Sequence, residues 1–410
     1  MSVVEPHILL LELYAGGHRG QYIRQLVEYW TAHALPGRLT VAIPPEFFDI
    51  HADVQAVLED AKRVEVVILN MPDRAAVAAL SEWRKSRLYG RVLRTVVAQL
   101  RPDHCVLLYF DHAQLPLALD LRFAFPVTLS GVYFRPSFHY HRLGGGAPAW
   151  KERLRDWRKR ILLWAALRNP HLTYIFSLDP YAVSDIQALR GGAQVVALPD
   201  GITPRPALLS PDAQRQQWGV ADGRNVALMF GGINARKGIH EVLAALRLLP
   251  SDIQQACCLI VSGHIREAEK EKIKTGIQQV QEVTAVQIIV DDRFVEEEEI
   301  QGMVAAADLV LLTYQRHVGS SGVLVRAAHA GVPVLGSDYG LVGEHLRRRH
   351  LGWAVDAASP QAIAEGLRQA LTDLSVLSFD EEEAGHFAEE HTASAFSATI
   401  FRHICEAAIN

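Results

Sequence analysis

A short run of small residues, Gly319-Ser320-Ser321-Gly322, is placed where a protein can bind an anion. The segment before it, 305–314, contains a run of Leu and Val that is short enough for a buried strand. The segment after it, 323–330, has the Ala and Leu content and the spacing of a packed helix. A loop at the amino end of a helix exposes unpaired backbone N–H groups, and the helix dipole also favours an anion, usually a phosphate. We therefore predict that Ser320, Ser321 and Gly322 bind a phosphate group.

A tight turn without a ligand is the other interpretation of this loop. The segment that follows the helix, 330–340, argues against it, because this segment reads as a second strand that ends in another glycine loop. Two glycine-rich strand ends would then lie side by side in a parallel sheet, which is where ligands bind.

A second loop with cations follows the predicted strand at 225–233. It contains Gly232, and then Arg236 and Lys237 at the start of an amphipathic helix. A lysine at the start of a helix opposes the helix dipole, so its presence there indicates an anionic partner. An ordinary surface lysine is the alternative.

Three segments of the chain, taken together, resemble the C-terminal half of a GT-B glycosyltransferase of the large retaining family 4, also called glycosyl transferases group 1: 227–246, 305–314 and 322–346. The resemblance covers residues 225–371 and implies an α/β fold in which two Rossmann-like domains, each with a doubly wound parallel sheet, face a cleft. It also implies that a sugar is transferred from a nucleotide-diphosphate donor, with no metal ion and no cofactor besides this substrate.

The resemblance implies roles for several residues. Lys237 matches the lysine of this loop in the family, and it is a catalytic candidate because the departing diphosphate needs a cation. Arg236 would replace an arginine that relatives often carry at the position of Gly232. Glu344 matches a later glutamate of the family and is expected to hold its loop.

The sequence departs from the family at a pair of acidic residues. Relatives carry two glutamates with seven residues between them, one for the donor sugar and one for the ribose. Here Arg326 stands at the second position, and His317 or Val318 falls near the first. The nucleotide pocket is therefore either rebuilt or lost. We predict that Arg326 contacts a donor phosphate or pairs with a nearby carboxylate, Glu344 being one candidate.

The first predicted strand, 7–14, opens into another glycine-rich loop. Gly16 and Gly17 allow the backbone to approach a ligand closely, and His18 and Arg19 stand at the start of the next helix. The spacing differs from the GxGxxG dinucleotide fingerprint, so we reject NAD binding. The resemblance implies that this loop binds the acceptor or the donor phosphates, and we include Gly16 and Gly17 in the donor site.

Two more predicted strands of the N-terminal half end in polar residues. The strand at 101–112 ends in Asp111-His112, and the resemblance makes His112 the first choice for a contact with the sugar. A surface histidine is the alternative. The segment 126–142 runs into three groups that suit an acidic or polyhydroxyl ligand, namely Arg135, His139 and His141. We predict that His112 and Arg135 orient the sugar or the acceptor. No carboxylate lies at ligand spacing from these histidines, so we predict no metal site.

The segment 150–167 reads as a helix with Arg and Lys on one side and Trp157, Ile161 and Trp164 on the other. This pattern suits contact with the surface of an anionic membrane. A solvated basic face is the other interpretation.

The composition limits the classes of protein that fit. A chain of 410 residues with 49% hydrophobic and 21% charged residues is expected to fold into two domains. Its net charge of -5 argues against a general nucleic-acid-binding protein. The four cysteines show no CxxC spacing, and there is neither a signal peptide nor an apolar run of about 18 residues. We therefore expect a cytoplasmic protein, with the inner face of the membrane as its one peripheral contact.

The order of the predicted elements suggests where the domains divide. We place an N-terminal, acceptor-side domain at 1–201, a Pro-rich linker at 202–222 and a nucleotide-sugar-binding domain at 223–380. The resemblance implies that the helices at 381–410 cross back onto the first domain.

The sequence thus predicts a retaining glycosyltransferase whose acceptor is a glycan, a lipid-linked molecule or a small molecule. The alternative is a non-catalytic protein of the same fold that binds a sugar or a nucleotide. A nucleotide-sugar epimerase would need carboxylates in the cleft, and the sequence does not place them.

Overall fold

The computed structural model describes residues 5–16, 19–119, 122–136, 138–140, 143, 150–203, 205–372 and 379–409. The chain forms two compact units. The first contains residues 1–139, 147–201 and 393–410, and the second contains residues 140–146 and 202–392.

The first unit is built on a seven-stranded parallel sheet with the strand order β3-β2-β1-β4-β5-β6-β7. Its strands are β1 (His7–Leu11), β2 (Arg38–Ile43), β3 (Val64–Ile68), β4 (His104–Leu107), β5 (Thr128–Tyr133), β6 (Leu172–Ser177) and β7 (Gln194–Ala197). Its helices are α1 (Arg19–Ala32), α2 (Phe47–Ile50), α3 (Ala52–Asp60), α4 (Arg74–Ala78), α5 (Glu82–Leu100), α6 (Gln114–Ala118), α7 (Trp150–Ala166) and α8 (Val183–Gln187), together with the C-terminal helix, Ala393–Ile409.

The central strand β1 is apolar on both faces, as a parallel sheet covered by helices requires. Leu9 and Leu11 belong to one hydrophobic core, to which α5, α6 and α7 contribute. Ile8 and Leu10 belong to a second core, which α1, α3 and the C-terminal helix complete. Each face of this sheet is therefore covered by its own layer of helices.

The second unit is built on a six-stranded parallel sheet with the order β10-β9-β8-β11-β12-β13. Its strands are β8 (Asn225–Phe230), β9 (Cys257–Ser262), β10 (Gln287–Asp291), β11 (Leu309–Leu312), β12 (Val334–Ser337) and β13 (Gly352–Val355). Its helices are α9 (Pro211–Trp218), α10 (Ile239–Leu246), α11 (Ser251–Ala256), α12 (Glu267–Val283), α13 (Glu297–Ala305), α14 (Gly322–His329), α15 (Gly340–Arg348), α16 (Pro360–Thr372) and α17 (Glu381–Glu390); the C-terminal helix is then α18.

Two predicted strands are shorter than the sequence suggested. Strand β1 ends at Leu11, because the carboxylate of Glu12 accepts hydrogen bonds from the backbone N–H groups of Leu13 and Tyr14, both at 2.9 Å. These two bonds turn the chain out of the sheet. Strand β4 ends at Leu107, so that His112 lies in a single 3₁₀ turn, Phe110–His112, rather than at the end of the strand.

The segments on either side of the second unit's sheet are ordered parts of the two units. Residues 202–222 belong to the second unit and contain α9. Helix α17 also belongs to the second unit, whereas α18 belongs to the first unit, where it packs on α1 through Phe396 and Tyr22 at 4.7 Å between ring centroids.

Candidate functional site

In the second unit, the order of the strands reverses between β8 and β11. Strands β9 and β10 lie on one side of β8, while β11, β12 and β13 lie on the other. The connections that leave β8 and β11 therefore diverge, and a crevice forms at the carboxyl ends of these two strands. Ligands of open parallel sheets bind at such a reversal. The loops at this point are 231–238 and 313–321, and they carry the predicted Lys237 and Ser321.

Lys237 is held inside this crevice. It lies in a 3₁₀ turn, Ala235–Lys237, that precedes α10, because Gly238 adopts a φ of +78° and interrupts the predicted helix. Only 6% of Lys237 is exposed. Its Nζ donates to the carbonyl oxygen of Phe230 at 2.7 Å and to the hydroxyl of Tyr314 at 3.3 Å.

The charge of Lys237 has no acidic partner within the described parts of the chain. An ammonium group has three N–H donors, and two of them are used. A buried cation is expensive unless an anion accompanies it. The third N–H of Lys237 is therefore available to an anionic ligand.

Tyr314 connects this lysine to the start of α14. Its hydroxyl lies 3.3 Å from Oγ of Ser321, which is the residue before the helix and whose side chain does not cap it. The ammonium of Lys237 and the hydroxyl of Ser321, the residue before α14, thus both lie 3.3 Å from one tyrosine hydroxyl. In the sequence, only the place of Tyr314 just after a buried strand indicates a role for this residue.

Hydrogen bonds to two backbone carbonyl oxygens fix the two loops against each other. The N–H of Gln315 donates to the carbonyl oxygen of Arg236 at 2.8 Å, and the hydroxyl of Thr313 donates to that of Lys237 at 3.0 Å. A side chain at Gly238 would place its Cβ 2.1 Å from the carbonyl oxygen of Thr313. Only glycine permits this approach, so Gly238 sets the position of Lys237.

The other predicted residues of this loop pair lie at its surface. Arg236 is exposed, with its guanidinium 5.5 Å from the centre of the Tyr314 ring. Gly232 is also exposed, and a Cβ there would meet no atom within 4 Å. Ser320 and Gly322 are half-buried beside Ser321.

Arg326 and Glu344 do not form the pair that we considered. Arg326 is buried in α14 and donates to Glu297 at the start of α13, while its Nη1 has no hydrogen-bond partner among the described residues. Glu344 instead binds Arg347 at 3.2 Å and Arg348 at 2.8 Å, two residues of its own helix. Glu344 as the partner of Arg326 is therefore wrong, because α15 directs this glutamate to its own basic last turn.

The first unit has the same kind of strand reversal between β1 and β4. The loop after β1 contains Gly16, while Gly17 and His18 lie outside the described residues. Arg19, the first residue of α1, donates to the carbonyl oxygen of Gly16. Its guanidinium lies between the rings of Tyr14 and Tyr109, at 4.7 Å and 4.4 Å from their centroids.

His112 lies beside this arginine, in the turn that follows β4. Its ring stacks on that of Tyr89, with 4.9 Å between the ring centroids, and makes an edge contact with that of Tyr109, with 4.5 Å between the centroids. With Leu13 and Leu93 it lines a small and mostly apolar pocket. Burial, and then the charge of Arg19, lower the pKa of His112 to about 4, so this imidazole is neutral at physiological pH.

Arg135 follows β5 and is exposed. Asp111 lies near it and accepts the N–H of Phe134 at 3.0 Å. Burial raises the pKa of Asp111 to about 6, although this hydrogen bond and the charge of Arg135 oppose the shift. His139 is buried with its Nδ1 2.6 Å from a carboxylate oxygen of Asp185, and His141 lies outside the described residues.

Glu12 also belongs to this site, although no sequence motif predicts it. It is fully buried at the end of β1, with Oε2 3.3 Å from Nε of Arg19. Burial raises the pKa of Glu12 to about 7, although Arg19 and two backbone N–H groups act in the opposite direction. Only its place at the end of a buried strand could have indicated it.

No three or more His, Cys, Asp or Glu residues of the described ranges are grouped so that they could hold a metal ion. In the same ranges, no helix combines the length and the apolar character that are needed to cross a membrane.

Comparison with known proteins finds a family similarity in the second unit. Residues 210–384 match the family model described as glycosyl transferases group 1. This segment is therefore similar to a group 1 glycosyltransferase domain. It contains both loops of the β8–β11 crevice.

A curated relative supports the glycosyltransferase assignment. The chain is 28% identical over 184 residues to the lipopolysaccharide glucosyltransferase WaaG of Escherichia coli (strain K12), which is 44% of this chain and 46% of WaaG. The chain therefore spans less than half the length of the curated relatives that it matches.

Two solved structures share the fold over nearly the whole chain. HepE of Anabaena, in complex with UDP and glucose, is 17% identical, with 98% of this chain and 100% of HepE covered and a TM-score of 0.63. Sucrose-phosphate synthase of Thermosynechococcus elongatus is 16% identical, with 98% and 100% covered and a TM-score of 0.69. The predicted GT-B fold, with two parallel-sheet α/β domains, is thereby confirmed.

Proposed function

We propose that this protein is a retaining glycosyltransferase that uses a nucleoside-diphosphate sugar as its donor. The observation that carries the proposal is the buried ammonium of Lys237, which has no carboxylate partner in the described chain and lies at the strand reversal of a group 1 glycosyltransferase domain.

The donor's diphosphate fits the chemistry of the β8–β11 crevice. As the bond between the sugar C1 and the phosphate oxygen breaks, negative charge grows on the leaving diphosphate. Lys237, with the N–H groups at the start of α14, would stabilise this charge, and Arg236 at the rim would add a second cation. These donors are held in place before the reaction by Tyr314 and by the backbone contacts of the two loops.

We propose that the reaction retains the configuration at C1. The acceptor hydroxyl would attack C1 from the face that the diphosphate leaves, and its proton would pass to an oxygen of that diphosphate. In this scheme no side chain has to act as a base. The likeness of the sequence to a retaining family supports the scheme, and the anomeric configuration of the product, read by NMR, tests it.

The loops of the first unit are our candidates for holding the sugar or the acceptor. A neutral His112 can donate one hydrogen bond and accept another from a sugar hydroxyl. Arg135 and the loop at Gly16 would contribute further polar contacts. We propose no metal ion and no resident cofactor in this reaction.

The relatives suggest the first donor to test. WaaG is named a glucosyltransferase, and HepE was solved with UDP and glucose. We therefore propose a hexose donor, with UDP-glucose as the first candidate. The four cysteines are free, three of them buried, which supports a reducing compartment such as the cytoplasm.

A protein that binds a nucleotide or a sugar without catalysis is the second candidate. The observation in its favour is Arg326, which occupies a position where relatives carry a glutamate and is bound to Glu297. In an active enzyme, other residues would replace the paired glutamates of the nucleotide pocket. In an inactive protein, the pocket would either bind its ligand without catalysis or be lost.

One experiment separates the two candidates. The protein is incubated with UDP-, GDP- and ADP-sugars, with and without EDTA, and release of the nucleoside diphosphate is measured beside its affinity by calorimetry. Release with one nucleotide class, unchanged by EDTA and abolished in Lys237→Ala, supports the transferase. Binding of a nucleoside diphosphate without release supports the second candidate. Lys274→Ala is the matched control, because Lys274 is an exposed lysine on α12 of the same unit.

A further inference from the structure

Helix α7 exposes a continuous stripe of large apolar side chains on the first unit. They recur at steps of three and four residues and therefore lie on one side of the helix: Trp150, Leu154, Trp157, Ile161 and Trp164. Trp150 is 70% exposed and Trp157 is 59% exposed. A stripe of this kind on a water-facing helix marks an interaction surface.

The opposite side of α7 faces the protein core. Leu163 and Ala166 are buried there with β5 and β6 residues of the first unit. The orientation of the helix is therefore set by packing, and the tryptophan stripe faces away from the sheet.

Basic residues flank the stripe on both sides. Each residue advances about 100° around an α-helix. On that basis Arg153 and Arg160 lie along one edge of the stripe, while Lys151 and Arg158 lie along the other. The helix has six basic and two acidic residues, in a chain whose net charge is -5.

Helix α5 carries a second basic surface on the same face of the sheet. It contributes to the same hydrophobic core as α6 and α7, so these helices cover the same face of the sheet. It carries five basic residues and one acidic residue, and its exposed Trp83 lies 4.6 Å from the guanidinium of Arg87. Basic charge with exposed tryptophan thus recurs on two helices of one layer.

We infer that the exposed faces of α7 and α5 bind the surface of an anionic phospholipid bilayer. Tryptophan and leucine side chains enter the boundary between headgroups and acyl chains, and the flanking cations remain at the phosphates. A second copy of this chain fits less well, because stripe-to-stripe contact would bring the basic edges of both copies together. A nucleic acid would leave the apolar stripe without a partner. The inference goes beyond the transfer reaction, since it needs neither donor nor acceptor.

Vesicle flotation of the full chain tests this inference. Vesicles of phosphatidylcholine with phosphatidylglycerol should carry the protein at low salt, vesicles of phosphatidylcholine alone should not, and about 0.5 M salt should weaken the binding. Arg153→Glu/Arg160→Glu should reduce binding at least about tenfold, because two attractive charges become repulsive. Trp157→Ser should also reduce it, with no change of charge.

The matched control is the double variant Lys272→Glu/Lys274→Glu, at two exposed positions of α12 in the second unit. It changes the net charge by the same amount and should still bind the anionic vesicles. Circular dichroism and melting curves of each variant establish that it is folded. Equal losses in both double variants would reduce the effect to net charge and overturn the inference. Equal binding to neutral vesicles, or concentration-dependent dimerisation that Trp157→Ser abolishes, would overturn it as well.

Discussion

At the scale of single residues, burial decides the protonation states that the chemistry can use. His112 is half-buried against two tyrosine rings, and its pKa is lowered to about 4. Glu12 is fully buried, and its pKa is raised to about 7. Both shifts favour the neutral form, because burial penalises charge. One group is therefore neutral throughout the physiological range, and the other changes its charge within it.

Replacing His112 by alanine is expected to affect turnover more than nucleotide binding. A lost hydrogen bond between neutral groups lowers kcat by about tenfold at most, while the diphosphate contacts of the second unit are kept. Above pH 5 the activity should show no inflection from His112, since its pKa is about 4. Diphosphate release and calorimetry measure the two effects, with His33→Ala, an exposed residue directly after α1, as a control. Equal losses of kcat and nucleotide affinity would contradict the assignment.

Glu12 is expected to make stability depend on pH. Its pKa is 4.5 in an unfolded chain and about 7 in the folded one, so the folded chain binds more protons between these values. Stability should therefore fall as pH rises through this range, by up to about 3 kcal/mol for complete ionisation. In Glu12→Gln this fall should be absent. The free energy of unfolding of the variant should therefore rise relative to that of the wild type between pH 5 and pH 8. Urea unfolding at both pH values measures it, with exposed Glu59→Gln as the control; parallel pH dependence in wild type and Glu12→Gln would refute it.

At the scale of elements, the sequence indicated which loops would meet but not how side chains pair inside them. Repeated buried strands with glycine at their ends predict a parallel sheet, and its strand reversals bring Lys237 and Ser321 together in one unit. The partners of Arg326 and Lys237 depend on contacts between distant segments, Glu297 in one case and Tyr314 in the other. No local pattern encodes such pairs, so these contacts had to be read from the structure.

Gly238 is expected to be the residue that tolerates substitution least in the loop pair. Alanine there must adopt φ +78° and place its Cβ 2.1 Å from the Thr313 carbonyl oxygen. Gly219 has nearly the same φ, +77°, with nothing near its Cβ, so Gly219→Ala should cost only the backbone strain of about 1 kcal/mol. Gly238→Ala should cost clearly more and weaken nucleoside-diphosphate binding, because Lys237 moves. Equal unfolding free energies for the two variants would show that the loop contact relaxes freely.

Arg326→Glu is expected to destabilise the second unit and to leave donor affinity per folded molecule unchanged. The change places two carboxylates together where α14 meets α13, and the loss should be about 2 kcal/mol because Glu297 is partly exposed. The charge-swapped pair, Arg326→Glu/Glu297→Arg, should regain part of the melting temperature. If the single variant keeps its melting temperature but loses donor affinity, Arg326 contacts the donor phosphate instead.

At the scale of the whole molecule, charge and apolar surface are unevenly distributed. The chain is acidic overall, yet α5 and α7 together carry eleven basic and three acidic residues. Composition alone therefore hid a strongly basic surface. The pattern of α7 suggested it from the sequence, but only the structure shows that the tryptophan stripe faces outward. The fold and the site differ in the same way. Hydrophobic periodicity in the sequence predicts the fold, whereas the site depends on contacts between distant segments.

A nucleoside diphosphate is expected to raise the melting temperature of the folded chain. A ligand that binds only the folded state stabilises it by about 2.7 kcal/mol at one hundred times its Kd, and the crevice at Lys237 exists only when β8 and β11 are paired. UDP, GDP and ADP are compared at equal concentration by thermal shift, and the nucleotide with the largest shift identifies the base that the pocket prefers. Lys237→Ala should lose most of the shift, since a hydrogen bond to a charged group contributes about 1.5–3 kcal/mol, whereas Lys274→Ala should keep it. If the shift is undiminished in Lys237→Ala, the nucleotide binds away from this crevice. The donor site that the proposed transfer requires would then lie elsewhere as well.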